Sequence, residues 1–367
     1  MSQEAGSATE WIGGVQPSAE VRAMNIVQIY EKECREQAAR LSELVSAYAE
    51  NGAIRGELQR LQKVANAKEP IVIAGMGASF CSGVTAASLL QLQERNAFVV
   101  DAGEWLHFGS PVWGQVAGTL LLTTSGESAE LVALCKGNRR KPLALICNNE
   151  NSKCWALADI KLPILAGPEY ANATKTYTNA TAAAIVAASE MTEHDWRDDA
   201  RRVRDVFGEA LEQAFSLKIQ LEEFCQGAAN IEVIGRGPAY GAAFMGALCI
   251  REMTGVRAAA HTGAGFRHGP LLDVNETHVA IILAMGRGAE LGVRLAKDCV
   301  RRGGKVILVS SEPQEASERL MPVQIARVAE PWEAIASILV PQALTLGMVE
   351  KNGAILKPRF SYGPMME

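Results

Sequence analysis

Several features that would each point to a function are missing from this sequence. Its five histidines, His107, His194, His261, His268 and His278, include no pair four residues apart, so the helical metal-ligand pair is absent. No G-x-S-x-G occurs, which removes the nucleophile elbow of the α/β-hydrolases. The eight cysteines form no C-x-x-C pair. The first residues, Met1-Ser2-Gln3-Glu4, are polar and acidic rather than basic and then apolar. Reduced, mostly buried thiols in a cytoplasmic protein are therefore expected. No window reaches 18 apolar residues, so no membrane-spanning helix is expected. Neither sign of charge dominates: 36 Lys+Arg stand against 41 Asp+Glu, a net charge of −5. That balance leaves no polyanion-binding surface and argues against nucleic acid as a partner.

What is present is a chain of 367 residues, 48% hydrophobic and 21% charged. It suits two domains of about 150 residues with extensions. Residues 1–68 read as a loose tail followed by helices, with a break at Gly52. Beyond Pro70, short apolar runs alternate with helical stretches: Ile71–Ala74, Ala97–Asp101, Thr119–Thr123 and Leu143–Cys147. Buried apolar strands between helices predict a parallel sheet covered on both faces. The pattern then returns 160 residues later. Ile231–Tyr240 matches Ile71–Phe80, Gly126 meets Gly286, and Ala129-Glu130-Leu131 meets Ala289-Glu290-Leu291. Two landmarks at one offset indicate internal duplication. The expected fold is α/β, with two tandem doubly wound parallel-sheet domains at 69–192 and 228–350. A helical connector at 193–227 joins them, and a C-terminal tail follows at 351–367.

The loop Thr123-Thr124-Ser125-Gly126-Glu127-Ser128 leaves a strand and opens a helix, where unpaired N–H groups and the helix dipole favour an anion. Its hydroxyls suit phosphate oxygens, and Gly126 lets the backbone come close. The alternative is ordinary capping. The repeat reads Leu283-Ala284-Met285-Gly286-Arg287-Gly288, without a hydroxyl, so one phosphate site per chain is expected, in the first domain. The Gly75-Met76-Gly77 turn is a broken dinucleotide fingerprint. Phe80 stands at its third glycine, and Asp101 lies 26 residues after Gly75 rather than ~20. Ser79 is better read as a further hydroxyl for the same phosphate. No cofactor and no metal are expected. Two residues remain for proton transfer. Glu252 stands in the last turn of a helix from Gly241 to about Thr254, where the dipole raises a carboxylate's pKa. His268 stands in the glycine-rich, helix-poor stretch His261–Pro270, which reads as a binding loop. A solvated Glu and a structural His are the alternatives.

Taken together, the S-G-E-S-A-E loop, the duplicated Gly loops and E-M-T-x13-H-G-P resemble the sugar isomerase (SIS) domain superfamily. The chain is similar to the isomerase half of glutamine–fructose-6-phosphate amidotransferases and to fructosamine-6-phosphate deglycases, over about residues 65 to 367. The resemblance implies a sugar phosphate held by Gly77, Ser79, Thr123, Thr124, Ser125 and Ser128. Asn172, Ala173 and Lys175 would line the sugar, in a stretch matching the family's A-S-T-K. Glu252 would be the base that moves a proton between C1 and C2, and His268 would help to open the ring from a neighbouring subunit, which implies a homodimer. The sequence departs from the family at Cys249, a lysine there, at Ala78 and Thr124, and in a tail without a lysine after Arg359. Too few residues precede 65 to house a glutaminase domain, so loss of an amine is favoured over amination. The expected activity is enediol or enolamine chemistry on a ketose, aldose or amino-sugar 6-phosphate. Deglycation or glucosamine-6-phosphate deamination is a specific alternative, and a non-catalytic sugar-phosphate sensor a further one.

Overall fold

The computed structural model describes residues 17–65, 69–137 and 142–358. The expected N-terminal tail, except its last two residues, and the tail beyond Pro358 lie outside the described residues. The helical extension comprises α1 (Ala19–Ala23), α2 (Ile26–Glu50) and α3 (Gly52–Ala65). One helix more than expected forms because Ser18 caps the first and Asn25, in a capping box with Gln28, starts the second.

The first half runs β1 (Ile71–Gly75), α4 (Ala78–Leu92), β2 (Ala97–Asp101), α5 (Ala102–Glu104), β3 (Gly118–Thr123), α6 (Ala129–Lys136), β4 (Leu143–Cys147), α7 (Lys153–Leu157), β5 (Ile160–Pro163) and α8 (Lys175–Met191). Helices α9 (Arg197–Ser216) and α10 (Lys218–Cys225) fill the expected connector. The second half runs β6 (Asn230–Gly235), α11 (Pro238–Thr254), β7 (Ala258–Thr262), α12 (Gly263–Arg267), α13 (Pro270–Asp273), β8 (His278–Ala284), α14 (Ala289–Arg301), β9 (Lys305–Ser310), β10 (Leu320–Gln324), α15 (Glu333–Ser337) and α16 (Leu339–Asn352). Both sheets are parallel, ordered β2-β1-β3-β4-β5 and β7-β6-β8-β9-β10. The orders are the same, and the turns entering α4 and α11 match in detail: Gly77 has φ 54°, ψ −125° and Gly237 has φ 52°, ψ −128°. Only glycine adopts this geometry cheaply.

Strand alternation decides how the halves sit. Ile71 and Ile73, like Ile231 and Val233, point into one continuous core that includes α2, α4, α8, α11 and α16. Val72 and Ala74 point into a separate core on the outer face of the first sheet, and Ile234, Ala280 and Ile282 do so on the second. The two sheets therefore share a central helical layer. One helical stretch among the described residues, Glu333–Asn352, is long and apolar enough to cross a membrane, and 94% of its apolar window is buried inside the protein.

At the centre of that layer α4 crosses α11 with opposite sense. Thr85 Oγ1 donates to the Pro238 carbonyl at 3.2 Å. Cys81 faces Gly241 so closely that a methyl group on Gly241 would lie 2.3 Å from the Cys81 carbonyl oxygen. Residues 81 and 241 are equivalent at the offset of 160, so the crossing is the pseudo-twofold axis of the duplication.

The structure corrects one reading and adds two elements. His261–Pro270 is not helix-poor: His261 and Thr262 end β7, Thr262 caps α12 by accepting the Gly265 N–H at 3.1 Å, and Pro270 opens α13. Helix α11 begins three residues before Gly241 because Pro238 is pre-set for a first helical position. Strand β5 and the helical stretch from Trp105 to Gln115, a π turn followed by a 3₁₀ turn, are additional. We expect Gly241→Ala to cost about 1–3 kcal/mol by overpacking backbone against side chain. Gly52→Ala, with nothing within 4 Å, should stay within about 1 kcal/mol of wild type in the same urea titration.

Candidate active site

In a sheet of this order the crevice lies at the carboxyl ends of β1 and β3, where the chain departs in opposite directions. Gly77 and Ser79 stand at the first exit, and Thr123–Ser128 forms the second. The loop is built by its own residues. Thr123, buried, accepts the Gly126 N–H at 3.0 Å, and Ser125 Oγ accepts the Glu127 N–H at 3.2 Å. Gly126 has φ 68°, and a methyl group there would lie 2.1 Å from Ser152 Oγ. Glu127 is turned away, accepting from the Lys153 N–H and pairing with its ammonium at 2.7 Å. Ser128 is the N-cap residue of α6, yet its side chain makes no capping bond. Thr123 therefore shapes the turn, while the hydroxyls of Thr124, Ser125 and Ser128 stand at the helix start. Asp101 accepts the N–H groups of Gly103 and Glu104, which makes it a helix cap rather than a ribose ligand.

The loop after β5 supplies the other wall. Glu169 accepts from the N–H and hydroxyl of Thr174, at 2.9 and 2.8 Å, and from the N–H and hydroxyl of Thr176. Glu33 of α2 accepts the Tyr170 and Ala171 N–H groups. Burial raises the Glu33 carboxyl well above the usual range, and the Glu169 charge adds to the rise. Lys175, expected to line the sugar, is buried and ion-paired with Glu36. It thus ties the start of α8 to α2. Asn172 is 4% exposed, and neither polar atom of its amide finds a hydrogen-bonding geometry, although the amide lies against the Cys249 thiol. Cys249 Sγ also points to the Ala173 carbonyl, at 3.9 Å.

Cys249 and Glu252 lie one turn apart on α11, and the opposite sense of α4 and α11 carries them towards the start of α4. Burial, followed by the Glu252 charge, raises the Cys249 pKa; the same charge also acts on Cys81 of α4. Glu252 of the second half thus stands near Cys249, which touches Asn172 and Ala173 of the first half, while Ser79 and the serine loop stand at the carboxyl ends of β1 and β3. His268 is not drawn in. It is exposed at the end of α12, with only its backbone N–H engaged, to the Gly265 carbonyl. Glu33, Glu36 and Glu169 were missed by sequence reasoning. The signal was faint: Glu33 and Gln37 fall on the apolar stripe of α2, where a charge needs a buried partner.

A family model described as SIS domain matches residues 63–189 and again 226–349. The chain belongs to the SIS domain family. It is 28% identical over 267 residues to the glutamine–fructose-6-phosphate aminotransferase (isomerizing) of Zymomonas mobilis, covering 68% of this chain and 44% of that protein. The chain spans about half the length of the curated relatives it matches. In structure it is similar to the C-terminal domain of glucosamine-fructose-6-phosphate aminotransferase from Francisella tularensis, with a TM-score of 0.80, 21% identity, and 93% and 99% of the two chains covered. The tagatose-6-phosphate ketose/aldose isomerase of Escherichia coli superposes with a TM-score of 0.72 at 20% identity, covering 92% and 95%.

The second SIS domain keeps the scaffold of the site without its chemistry. At the offset of 160, Leu89 and Leu92 replace Cys249 and Glu252, and Leu283 replaces Thr123. The Gly286 N–H is taken by the Glu333 carboxylate instead, and burial with the Glu330 charge pushes Glu333 up to about 7. A carboxyl whose pKa rises on folding from an ordinary 4.5 to about 7 binds its proton more tightly in the folded chain. That stability is full below pH 4.5 and fades up to pH 7, by no more than about 3 kcal/mol. Glu333→Gln should remove this share of the slope in urea midpoints measured between pH 4.5 and 7.5. A slope unchanged by the substitution would count against the assignment.

Proposed function

We propose that this SIS protein is a phosphosugar isomerase-type enzyme acting on a ketose, aldose or amino-sugar 6-phosphate. The observation that supports the reading is that Glu252, one turn from Cys249 on α11, acts on Cys81 of α4 in the first half, while the buried Asn172 amide lies against the Cys249 thiol. A buried amide with no partner suits a ligand rich in hydroxyl groups. The phosphate docks on the hydroxyls of Thr124, Ser125 and Ser128 at the start of α6, with Ser79 beside them. Thr123 keeps the turn in shape, and Lys175 holds the sugar wall through Glu36.

The Glu252 carboxylate removes the proton from the carbon next to the carbonyl. The electron pair of that C–H bond becomes the C=C bond of an enediol, or of an enolamine when nitrogen is attached, and the carbonyl oxygen or imine nitrogen takes up a proton. Return of the Glu252 proton to the neighbouring carbon completes isomerisation; water can then release the amine from an imine. His268 would assist ring opening from a second copy of the chain, in a cytoplasmic homodimer. A sensor that binds without turnover is the second reading, favoured by the neutral, buried Cys249 thiol where the family resemblance implies a lysine.

Deuterium uptake at C1 and C2 in deuterated water tests the reading, with fructose 6-phosphate, glucosamine 6-phosphate and fructose-amino-acid 6-phosphates supplied in turn. We expect Glu252→Gln to lower exchange by about 10²–10⁴-fold while ligand affinity stays within a few-fold. Saturable binding without exchange in wild type would establish the sensor instead. Ser125→Ala should weaken the phosphorylated sugar by about ten-fold and leave the unphosphorylated one nearly unchanged.

A further inference from the structure

The switch point of the second sheet, at the carboxyl ends of β6 and β8, holds a cation that is ion-paired with no acid among the described residues. Arg236 replaces Met76 of the first half at the offset of 160. Its side chain runs between two glycines. A methyl group on Gly288 would lie 3.1 Å from its Cβ and 3.2 Å from its Cδ, and one on Gly263 would lie 2.5 Å from its Nε. Gly288 stands where the first half has Ser128, so loss of that side chain makes room for the arginine. The guanidinium has no ion-pair or hydrogen-bond partner among the described residues, and its Nε is buried. Acids of the adjoining elements have partners of their own: Glu232 with His261, Asp298 with Arg267 and Arg301, Glu330 with Arg287, and Glu333 with the Gly286 N–H. Burial, and then the Arg267 charge, hold the pKa of Arg236 below its ordinary value.

We propose that this switch point is a second anion site, at which the Arg236 guanidinium receives the phosphate group of a small metabolite. The planar fork of arginine matches two phosphate oxygens at once, so one arginine does what three hydroxyls do in the first half. The left-handed glycine turns of the phosphate-binding half persist here, at Gly237 with φ 52° and Gly286 with φ 51°. The duplication has thus exchanged a neutral cradle for a cationic one, with Leu89 and Leu92 at the positions equivalent to Cys249 and Glu252. This site is separate from the one proposed for catalysis.

Calorimetric titration of the full chain with inorganic phosphate, at ionic strength held constant with chloride, tests the proposal. The variants are Arg236→Met, which restores the first-half residue, and Ser125→Ala/Ser128→Ala, which disables the first-half cradle. We expect a phosphate-binding component that survives Ser125→Ala/Ser128→Ala and weakens about ten-fold or more in Arg236→Met. If Arg236→Met proves unfolded by circular dichroism, Gly263→Ala takes its place; by displacing the guanidinium it should weaken the same component. The proposal is overturned if Arg236→Met titrates like wild type, or if no phosphate binding survives Ser125→Ala/Ser128→Ala with Arg236 intact.

Discussion

The arrangement of the two halves depends on the contact of α4 with α11, around which α2, α8 and α16 pack in one core. The approach of Gly241 to the Cys81 carbonyl brings two helix backbones together at a point that any side chain would hold apart. Because the point lies on the duplication's own axis, the opposite sense of the helices makes each half's long helix end at the other half's switch point. Cys249 and Glu252 reach the first half in this way, and Leu89 and Leu92 reach the second. The carboxylate in the candidate site is thus a consequence of close packing between helices some distance from it.

Duplication supplied two equivalent crevices, and small exchanges separated their chemistry. In the first, Thr123 takes the Gly126 amide and leaves serine hydroxyls at the start of α6. In the second, a buried carboxylate from α15 takes the corresponding Gly286 amide, and glycines flank a lone arginine. Both retain the backbone turn, since a positive φ at Gly126 and Gly286 is a property of the scaffold. What changed is the set of donors presented above it.

The loop after β5 is held by buried carboxylates as well as by apolar packing. Glu169 and Glu33 between them accept four backbone N–H groups of the segment 170–176, and Glu36 anchors Lys175. A loop in which these amides are satisfied internally keeps one conformation, and Asn172 is left as the polar side chain that has no partner. Order in the loop and an unpartnered amide within it belong to the same arrangement.

Much of this was legible in one dimension. Apolar runs between helical stretches announced parallel sheets, and the offset of 160 announced two of them, because strand-to-helix turns with glycine leave a local signature. The hydroxyl-rich loop announced a turn that opens a helix for the same local reason. Strand β5 escaped because it is four residues long, and α12 because three glycines near it read as loop until the Thr262 cap is seen. Glu252 stood out by its place in the last turn of a helix, but a glutamate there is commonplace, and family resemblance supplied its role. The sequence by itself determined the elements, their repetition and the turn that opens α6, all of which depend on residues close along the chain. Only the tertiary structure decided that Glu252 faces the first half, that Lys175 turns to Glu36, and that Arg236 is ion-paired with no acid among the described residues. Those outcomes depend on which surfaces meet when two sheets close over one helical layer, and contacts between residues far apart along the chain carry no local pattern.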